Sequence, residues 1–355
     1  MKKKRLPQKS AFSQRGIALI LVLSLIALAS IIAVNLITNH LLLSQIANNR
    51  VNTVKGEYIL KSALNAARIL LSEDNSNTDG PHDIWAKYKK GIEIPASLVG
   101  LDAGGVKLAL QIQAENSKIR LSRLVRSGGR RVDTRWRDAL ARLFYNLGFD
   151  DDKDEVYTKP PFKGRHFTSK ELVANLIDYL DIDKESYEDA NFPSGIESQL
   201  KPNPFPNNGR IQSLSELAVI PGFTEKRIRQ LEPFLTPNKG GRVNINLAPK
   251  EVLMALDEEL TEDLVDQIIS FRNSDSGPFA YTNESSDGTN WTLQLENIIG
   301  HDLRIKIQPM ITVESRWFEI IGRVNFSSTT LYMRSFVYRI NRKKPAVVYA
   351  VQFFQ

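Results

Sequence analysis

The chain has no cysteine at all. That excludes a disulfide framework, Cys-ligated zinc, iron–sulfur clusters and thiol nucleophiles. Histidine is scarce as well. His40, His82, His166 and His301 are the only four, and none lies in a His-Glu-x-x-His zinc motif. The sequence holds no Gly-x-Ser-x-Gly elbow and no Gly-x-x-x-x-Gly-Lys phosphate loop. Acid pairs such as Asp181 and Asp183 have acid–base chemistry in principle, but nothing places a nucleophile near them, so the chain reads as a non-enzyme. What is present, 42% hydrophobic and 25% charged residues over a length of 355, excludes global disorder and suits two domains or one large one.

Charge is distributed unevenly. The formal charge of +7 comes almost entirely from Lys2, Lys3, Lys4, Arg5, Lys9 and Arg15, with no acid among them. Beyond residue 16 the remainder holds 41 basic and 40 acidic side chains, which is no electrostatic footprint for nucleic acid. From Gly16 to Asn49 there is no formally charged side chain, and Ile17–Val34 is almost wholly aliphatic. Eighteen such residues reach the lower limit of a membrane-spanning helix. The cations before it predict a cytoplasmic N-terminus and an exported body.

Three readings of this segment compete. A cleaved secretory signal wants small residues beyond the apolar run, and none of the Ala-x-Ala kind is found there. A plain signal anchor is the second. The third is a class III leader, cut on the cytoplasmic side of the run, whose basic segment, Gly and apolar helix are matched by Gln14-Arg15-Gly16 and Ile17-Ala18-Leu19-Ile20.

At these residues the chain resembles the type IV pilin and pseudopilin superfamily. The resemblance implies cleavage between Gly16 and Ile17 by a prepilin peptidase and methylation of the new N-terminus. Most members carry Glu at the fifth mature position, which here is Leu21. In the superfamily that Glu is held to meet the N-terminal ammonium of a neighbouring subunit, because a carboxylate in hydrocarbon is costly unless paired. A subunit with Leu there offers no such partner, as in the K-type minor pseudopilins of the type II secretion system.

The helix is predicted to run on through Val51, Val54, Tyr58, Leu60, Leu64, Ala67 and Leu71 and to end in the turn-forming stretch SEDNSNTDGP at 72–81. Val106–Val125 reads as two strands around Glu115-Asn116-Ser117. Thr134–Leu147 reads as an amphipathic helix stopped by Gly148, and Ser169–Leu180 as a helix capped by Ser169. The charge run at 150–155 reads as a solvated turn. Ser213–Leu235 reads as two short helices around Ile220-Pro221-Gly222-Phe223, and Arg242–Leu256 as strand, turn and helix, with a further helix facing the core through Leu264, Ile268, Ile269 and Phe271. Phe318–Val324, Thr330–Ile340 and Ala346–Phe354 read as antiparallel strands.

Several of these segments, behind a pilin helix without Glu, resemble the K-type family: Glu115–Leu124, Leu176–Asp183, Ser213–Leu235 and Val243–Leu256. The fold class so implied is α+β, a pilin-like long N-terminal helix with an antiparallel sheet and an inserted, mainly helical domain of helix-hairpin-helix or SAM-like type. The expected organisation is a leader at 1–16, the long helix at 17–72 and a first pilin-like part at 73–123. The helical insert is expected at 124–238 and the second pilin-like part at 239–355. The resemblance further implies a single-pass inner-membrane protein with a periplasmic body, capping a pseudopilus that supports export of folded proteins. Its implied partners are the I- and J-type minor pseudopilins, the major pseudopilin, the inner-membrane secretion platform and the prepilin peptidase.

Asp178, Asp181 and Asp183 cluster at a helix end, with Glu197 after Gly195. Carboxylates so close repel unless solvated or bridged by a hard cation, and calcium suits irregular acidic loops. The spacing is not an EF-hand. Relatives of this type bind calcium in the helical domain, which makes these four the expected ligands; the Ser198-Gln199-Leu200 that follows departs from the family's further acids. The rival function is a membrane-anchored helix-hairpin-helix DNA-binding or uptake protein, or a minor type IV pilin. Gly222 with Lys226, Arg227 and Arg229 makes a fair first DNA hairpin, but Asp257-Glu258-Glu259 in the second would repel phosphate.

Overall fold

A computed structural model describes residues 12–74, 77–94, 106–126, 128–153, 155–202, 205, 209–281, 290–326 and 329–355. One helix, α1 (Phe12–Ser72), dominates the N-terminal part. Its 61 residues span about 90 Å. It is built from Leu, Ile and Ala with no Pro, and its polar side chains turn inward on the helix itself: Ser30 Oγ donates to Ile26 O and Thr38 Oγ1 to Val34 O, both at 2.8 Å. It starts before Gly16, so the junction expected to be a leader boundary lies within continuous helix.

The C-terminal third of α1 lies across a five-stranded antiparallel sheet. Its strands are β1 (Ile92–Ile94), β2 (Lys107–Ala114), β7 (Trp317–Asn325), β8 (Thr330–Tyr338) and β9 (Val347–Phe354), in that spatial order. Period-2 alternation puts Leu108, Leu110, Ile112, Ile320, Val324, Leu331, Met333 and Val337 on the face that meets Leu60, Ala63, Leu64, Ala67 and Leu71 of the helix. Two glycines permit the close approach. A Cβ at Gly56 would sit 3.1 Å from both Leu331 and Val324, and one at Gly322 would sit 2.7 Å from Leu60.

Between β2 and β7 the chain leaves the sheet and builds a helical body. The elements are β3 (Ile119–Arg120), α2 (Thr134–Asn146), α3 (Ser169–Leu180), a 3-10 turn at Leu214–Val219, α4 (Glu225–Leu231), β4 (Leu235–Thr236), β5 (Val243–Asn244), α5 (Lys250–Leu256), α6 (Glu262–Asn273), α7 (Asn290–Ile299), α8 (His301–Ile307) and β6 (Ile311–Thr312). Two short parallel ladders close it, β3 with β4 and β5 with β6. One apolar core runs continuously from Ile119 to Val313.

That core reaches past residue 238, where the helical insert was expected to end. Val252, Leu253, Leu256, Val265, Leu295 and Leu303 bury their side chains in the same core as Leu140, Phe144, Leu172 and Leu176. Of the second pilin-like part expected at 239–355, only Trp317 onward belongs to the large sheet. The second strand expected after Glu115 also differs. A 3-10 turn at Glu115–Ser117 diverts the chain, and β3 pairs with β4 rather than returning beside β2. α3 is capped one residue earlier than expected: Thr168 Oγ1 accepts from Glu171 N, and the Glu171 side chain accepts from Thr168 N in return. Gly148, at φ +78°, donates to Tyr145 O and ends α2 as expected.

Candidate functional sites: an uncovered helix and two acidic clusters

The first site is the membrane-proximal part of α1. Every residue from Gly16 to Val51 is exposed, including Ile17 and Leu21, so the protein covers none of this apolar length itself. The segment is long and apolar enough to cross a membrane, with a mean hydropathy of 3.1 over its most apolar window. Leu21 stands on the bare helix with no carboxylate in the apolar stretch around it. A Cβ at Gly16 would meet nothing within 4 Å, so packing does not demand a glycine there.

The second site is the acidic loop after α3. Asp181, Asp183 and Glu197 each offer a carboxylate oxygen, and these atoms lie within 4.8 Å of one another. Asp181 and Glu197 are buried, and Asp183 reaches solvent. Asp181 Oδ1 is buried with no hydrogen-bond partner among the described residues. Burial, with the charges of Asp183, Asp178 and Glu197, pushes the Asp181 carboxyl up to about 8.

Asp178, also expected among the ligands, accepts from three backbone N–H groups. Its Oδ1 accepts from Tyr187 N at 2.6 Å, and its Oδ2 from Ile196 N at 2.6 Å and Glu197 N at 2.8 Å. It folds the 187–197 loop back onto α3 and so carries Glu197 to the other two acids. Gly195 is required at that crossing, because a Cβ there would lie 2.1 Å from Asp178 Oδ2. Despite the three N–H donors, burial holds the Asp178 carboxyl up at about 6. On the far side of the loop, Arg137 pairs with Asp189 at 2.9 Å and with Tyr187 Oη at 2.9 Å. The donor set at Asp181, Asp183 and Glu197 is all oxygen, irregular in backbone and strongly acidic, which fits a hard divalent cation.

A third site, the other acidic cluster, was not evident from the sequence. Asp74, Asp79 and Asp83 also gather within 4.8 Å, at the end of α1. Here two arginines from the β8–β9 connection answer them. Arg339 Nη2 donates to Asp79 Oδ2 at 2.6 Å and to Ser315 O at 2.7 Å, and Arg342 contacts Asp74 at 2.7 Å and Asp79 at 2.9 Å. Asp79 is wholly buried and also accepts from Ser315 N at 2.6 Å. The partners lie some 260 residues apart, so no local pattern could have revealed them. The cluster is a clasp joining the end of α1 to the sheet and to the exit of the helical body.

The cations of the candidate DNA hairpin are consumed internally. Arg227 is buried and donates to Gly222 O and Phe149 O, both at 3.1 Å. Lys226 binds Asp152 at 2.5 Å and Glu155 at 3.5 Å, and Arg229 pairs with Glu225. The charge run expected to be a solvated turn is therefore half used: Asp152 and Glu155 neutralise Lys226, and Asp150 Oδ1 accepts from Ser169 N and Oγ at 2.6 Å.

Two family models described as Type II secretion system (T2SS), protein K match residues 117–237 and 243–293. The chain belongs to the type II secretion system protein K family. The two matches cover the helical body on both sides of β5, the part whose core runs unbroken to Val313. Among solved structures the chain is similar to one from the crystal structure of the GspK–GspI–GspJ complex of the enterotoxigenic Escherichia coli Type 2 Secretion System. The TM-score is 0.61 at 15% identity, covering 87% of this chain and 99% of that one. That likeness establishes the α+β fold of a long helix, antiparallel sheet and helical regions. No curated protein matches the chain. Within the family the chain is a minor pseudopilin, a structural component of protein secretion with an apolar N-terminal helix.

Proposed function

We propose that the chain caps the tip of a periplasmic pseudopilus and supports export of folded proteins across the outer membrane. α1 anchors it in the inner membrane, N-terminus inside and body in the periplasm. After removal of the leader at Gly16 by the prepilin peptidase, Ile17 is the methylated N-terminus. The helix then bundles with those of I- and J-type minor pseudopilins, above the major pseudopilin and the secretion platform; the solved neighbour comes from a complex with GspI and GspJ. The observation that supports this reading most is the bare helix: thirty-six residues from Gly16 to Val51 are exposed, uncharged but for Arg50, and without a carboxylate. Burying them needs lipid or neighbouring helices. With Leu21 in place of an acid, the helix has nothing to offer the ammonium of a subunit above it, and the broad helical body obstructs the same position.

N-terminal sequencing of the membrane-extracted protein tests the processing step, with N-methylisoleucine as the expected first residue and an intact Met1 as the contrary result. Leu21→Glu tests the cap. Immunogold labelling of surface pseudopili should move from fibre ends to the shaft, and label confined to the ends would count against the carboxylate argument.

We further propose that Asp181, Asp183 and Glu197 bind calcium, with Asp178 holding the loop rather than the ion. The buried, unpartnered Asp181 Oδ1 favours this reading. The DNA-uptake alternative has no comparable support, since Lys226, Arg227 and Arg229 all have internal partners.

A further inference from the structure

The sheet has two unequal edges. At one, β1 is three residues long and carries the charged Glu93. At the other, β9 is eight residues long, and the ten residues Ala346–Gln355 contain no charge. Natural edge strands are usually short, charged, bulged or covered, because their free N–H and C=O groups recruit other strands. β9 is bulged once, at Tyr349, where the register with β8 slips between Phe336 and Val337. Beyond the bulge Ala350–Phe354 is regular and paired on one side only. Among the described residues, no backbone hydrogen bond of Val347–Phe354 goes anywhere but to β8. Its apolar side chains are also unusually bare: Val351 is 40% and Phe354 44% exposed.

We propose that the outer edge of β9, over Ala350–Phe354, is a strand-pairing site for an extended, uncharged segment of a different pilin-type subunit. Its position argues for that partner. β9 runs back along α1: Arg68 Nε donates to Ala346 O at 2.5 Å, Lys61 Nζ lies 5.4 Å from the Phe353 ring, and Gln355 Nε2 donates to Thr53 Oγ1 at 2.9 Å. Val51, Val54 and Tyr58, spaced to share one stripe of that same stretch of helix, are exposed. A subunit whose own helix lies parallel along the stripe passes beside β9. A second copy of this chain fits poorly. Two copies anchored in one membrane are related by an axis along the strand, which sets identical backbone groups face to face. A parallel ladder needs those groups offset by one residue. A different chain has no such constraint, and backbone pairing with apolar side chains alternating outward is the usual chemistry of strand addition.

The inference rests on the helix-bundling reading above, and the test separates the two. The full chain in detergent, alone and co-purified with the I- and J-type minor pseudopilins of its own system, is followed by amide hydrogen exchange. In the complex, alternate amides of 350–354 that face away from β8 should exchange at least tenfold more slowly. Val351→Lys should abolish that protection while leaving the thermal unfolding of the isolated chain unchanged. A complex that forms with 350–354 exchanging at free-chain rates overturns the strand-pairing site but leaves the helix bundle standing. Failure of any complex to form overturns both.

Discussion

The two acidic clusters are made of nearly the same parts and come out opposite. Each brings three carboxylates within 4.8 Å, and each buries at least one of them. At the end of α1, Arg339 and Arg342 reach Asp74 and Asp79 from the far end of the sheet. After α3, the cluster is assembled by Asp178 and the backbone N–H groups of Tyr187, Ile196 and Glu197 instead. Proximity of acids therefore does not define a metal site. The difference lies in what gathers the acids: arginines from a distant part of the chain in one case, and a carboxylate that holds its own loop through backbone N–H groups in the other.

The strongest way to break the contrast is to remove the built-in cation. Arg339 is 3% exposed and holds Asp79, Asp74, Ser315 O and Leu71 O together. Burial pushes the Asp79 carboxyl up, and Arg339 and Arg342 are the opposing pull. Arg339→Ala leaves that burial less opposed, and the expected loss is about 3–5 kcal/mol in denaturant unfolding. Arg339→Lys should recover only part, since an ammonium cannot grip both Asp79 oxygens and the carbonyls as a guanidinium does. If Arg339→Ala unfolds like the wild type, the clasp is not what holds the end of α1 to the sheet.

Next in size is the organiser of the second cluster. Asp178→Asn keeps the shape but leaves one oxygen to receive what two received from Tyr187, Ile196 and Glu197. The expected cost is about 1–3 kcal/mol, and it should be the same with and without calcium if Asp178 is no ligand.

The proposed calcium site sharpens the contrast from the other side. Calcium at about 100 times its dissociation constant stabilises by roughly 2.7 kcal/mol if it binds only the folded chain. The thermal midpoint of the wild type should rise with millimolar calcium, and Asp181→Asn or Glu197→Gln should erase the rise. No heat in isothermal titration and no thermal shift would remove the site.

How much of this was legible depends on the range of the interaction. The bare stretch of α1 was plain from an uncharged run, and β7, β8 and β9 from alternation, because each pattern is local. The acids after α3 were legible as a cluster but not in their roles: Asp178 and Glu197 look alike in the sequence, and only the loop closing over Gly195 separates anchor from candidate ligand. The clasp was illegible, since Asp79 sits in a stretch that reads as a turn and its arginines lie beyond β8. The reach of the helical core past residue 238 was illegible for the same reason. α5 to α8 have ordinary amphipathic patterns, and nothing local says that their apolar faces join α2 and α3 rather than the sheet.

The smallest expected effect concerns the one acid of the first cluster that the arginines do not grip. Asp83 accepts from Gly80 N at 2.9 Å, while burial and the charges of Asp74 and Asp79 push its carboxyl up to about 7. A carboxyl raised in the folded state holds its proton there at pH values where the unfolded chain has lost it. Its contribution is therefore fully present below about pH 4, falls as pH rises towards 7, and is gone above that. Asp83→Asn removes the titration and keeps an acceptor for Gly80 N. Allowing for its partial exposure, the variant should be more stable than the wild type by about 1–2 kcal/mol at pH 8 and equal to it near pH 4. The difference between variant and wild type isolates Asp83 from Asp178 and Asp181, which also titrate in this range. A gap independent of pH would mean that Arg342 already neutralises Asp83, and the first cluster would then be fully compensated by its own side chains.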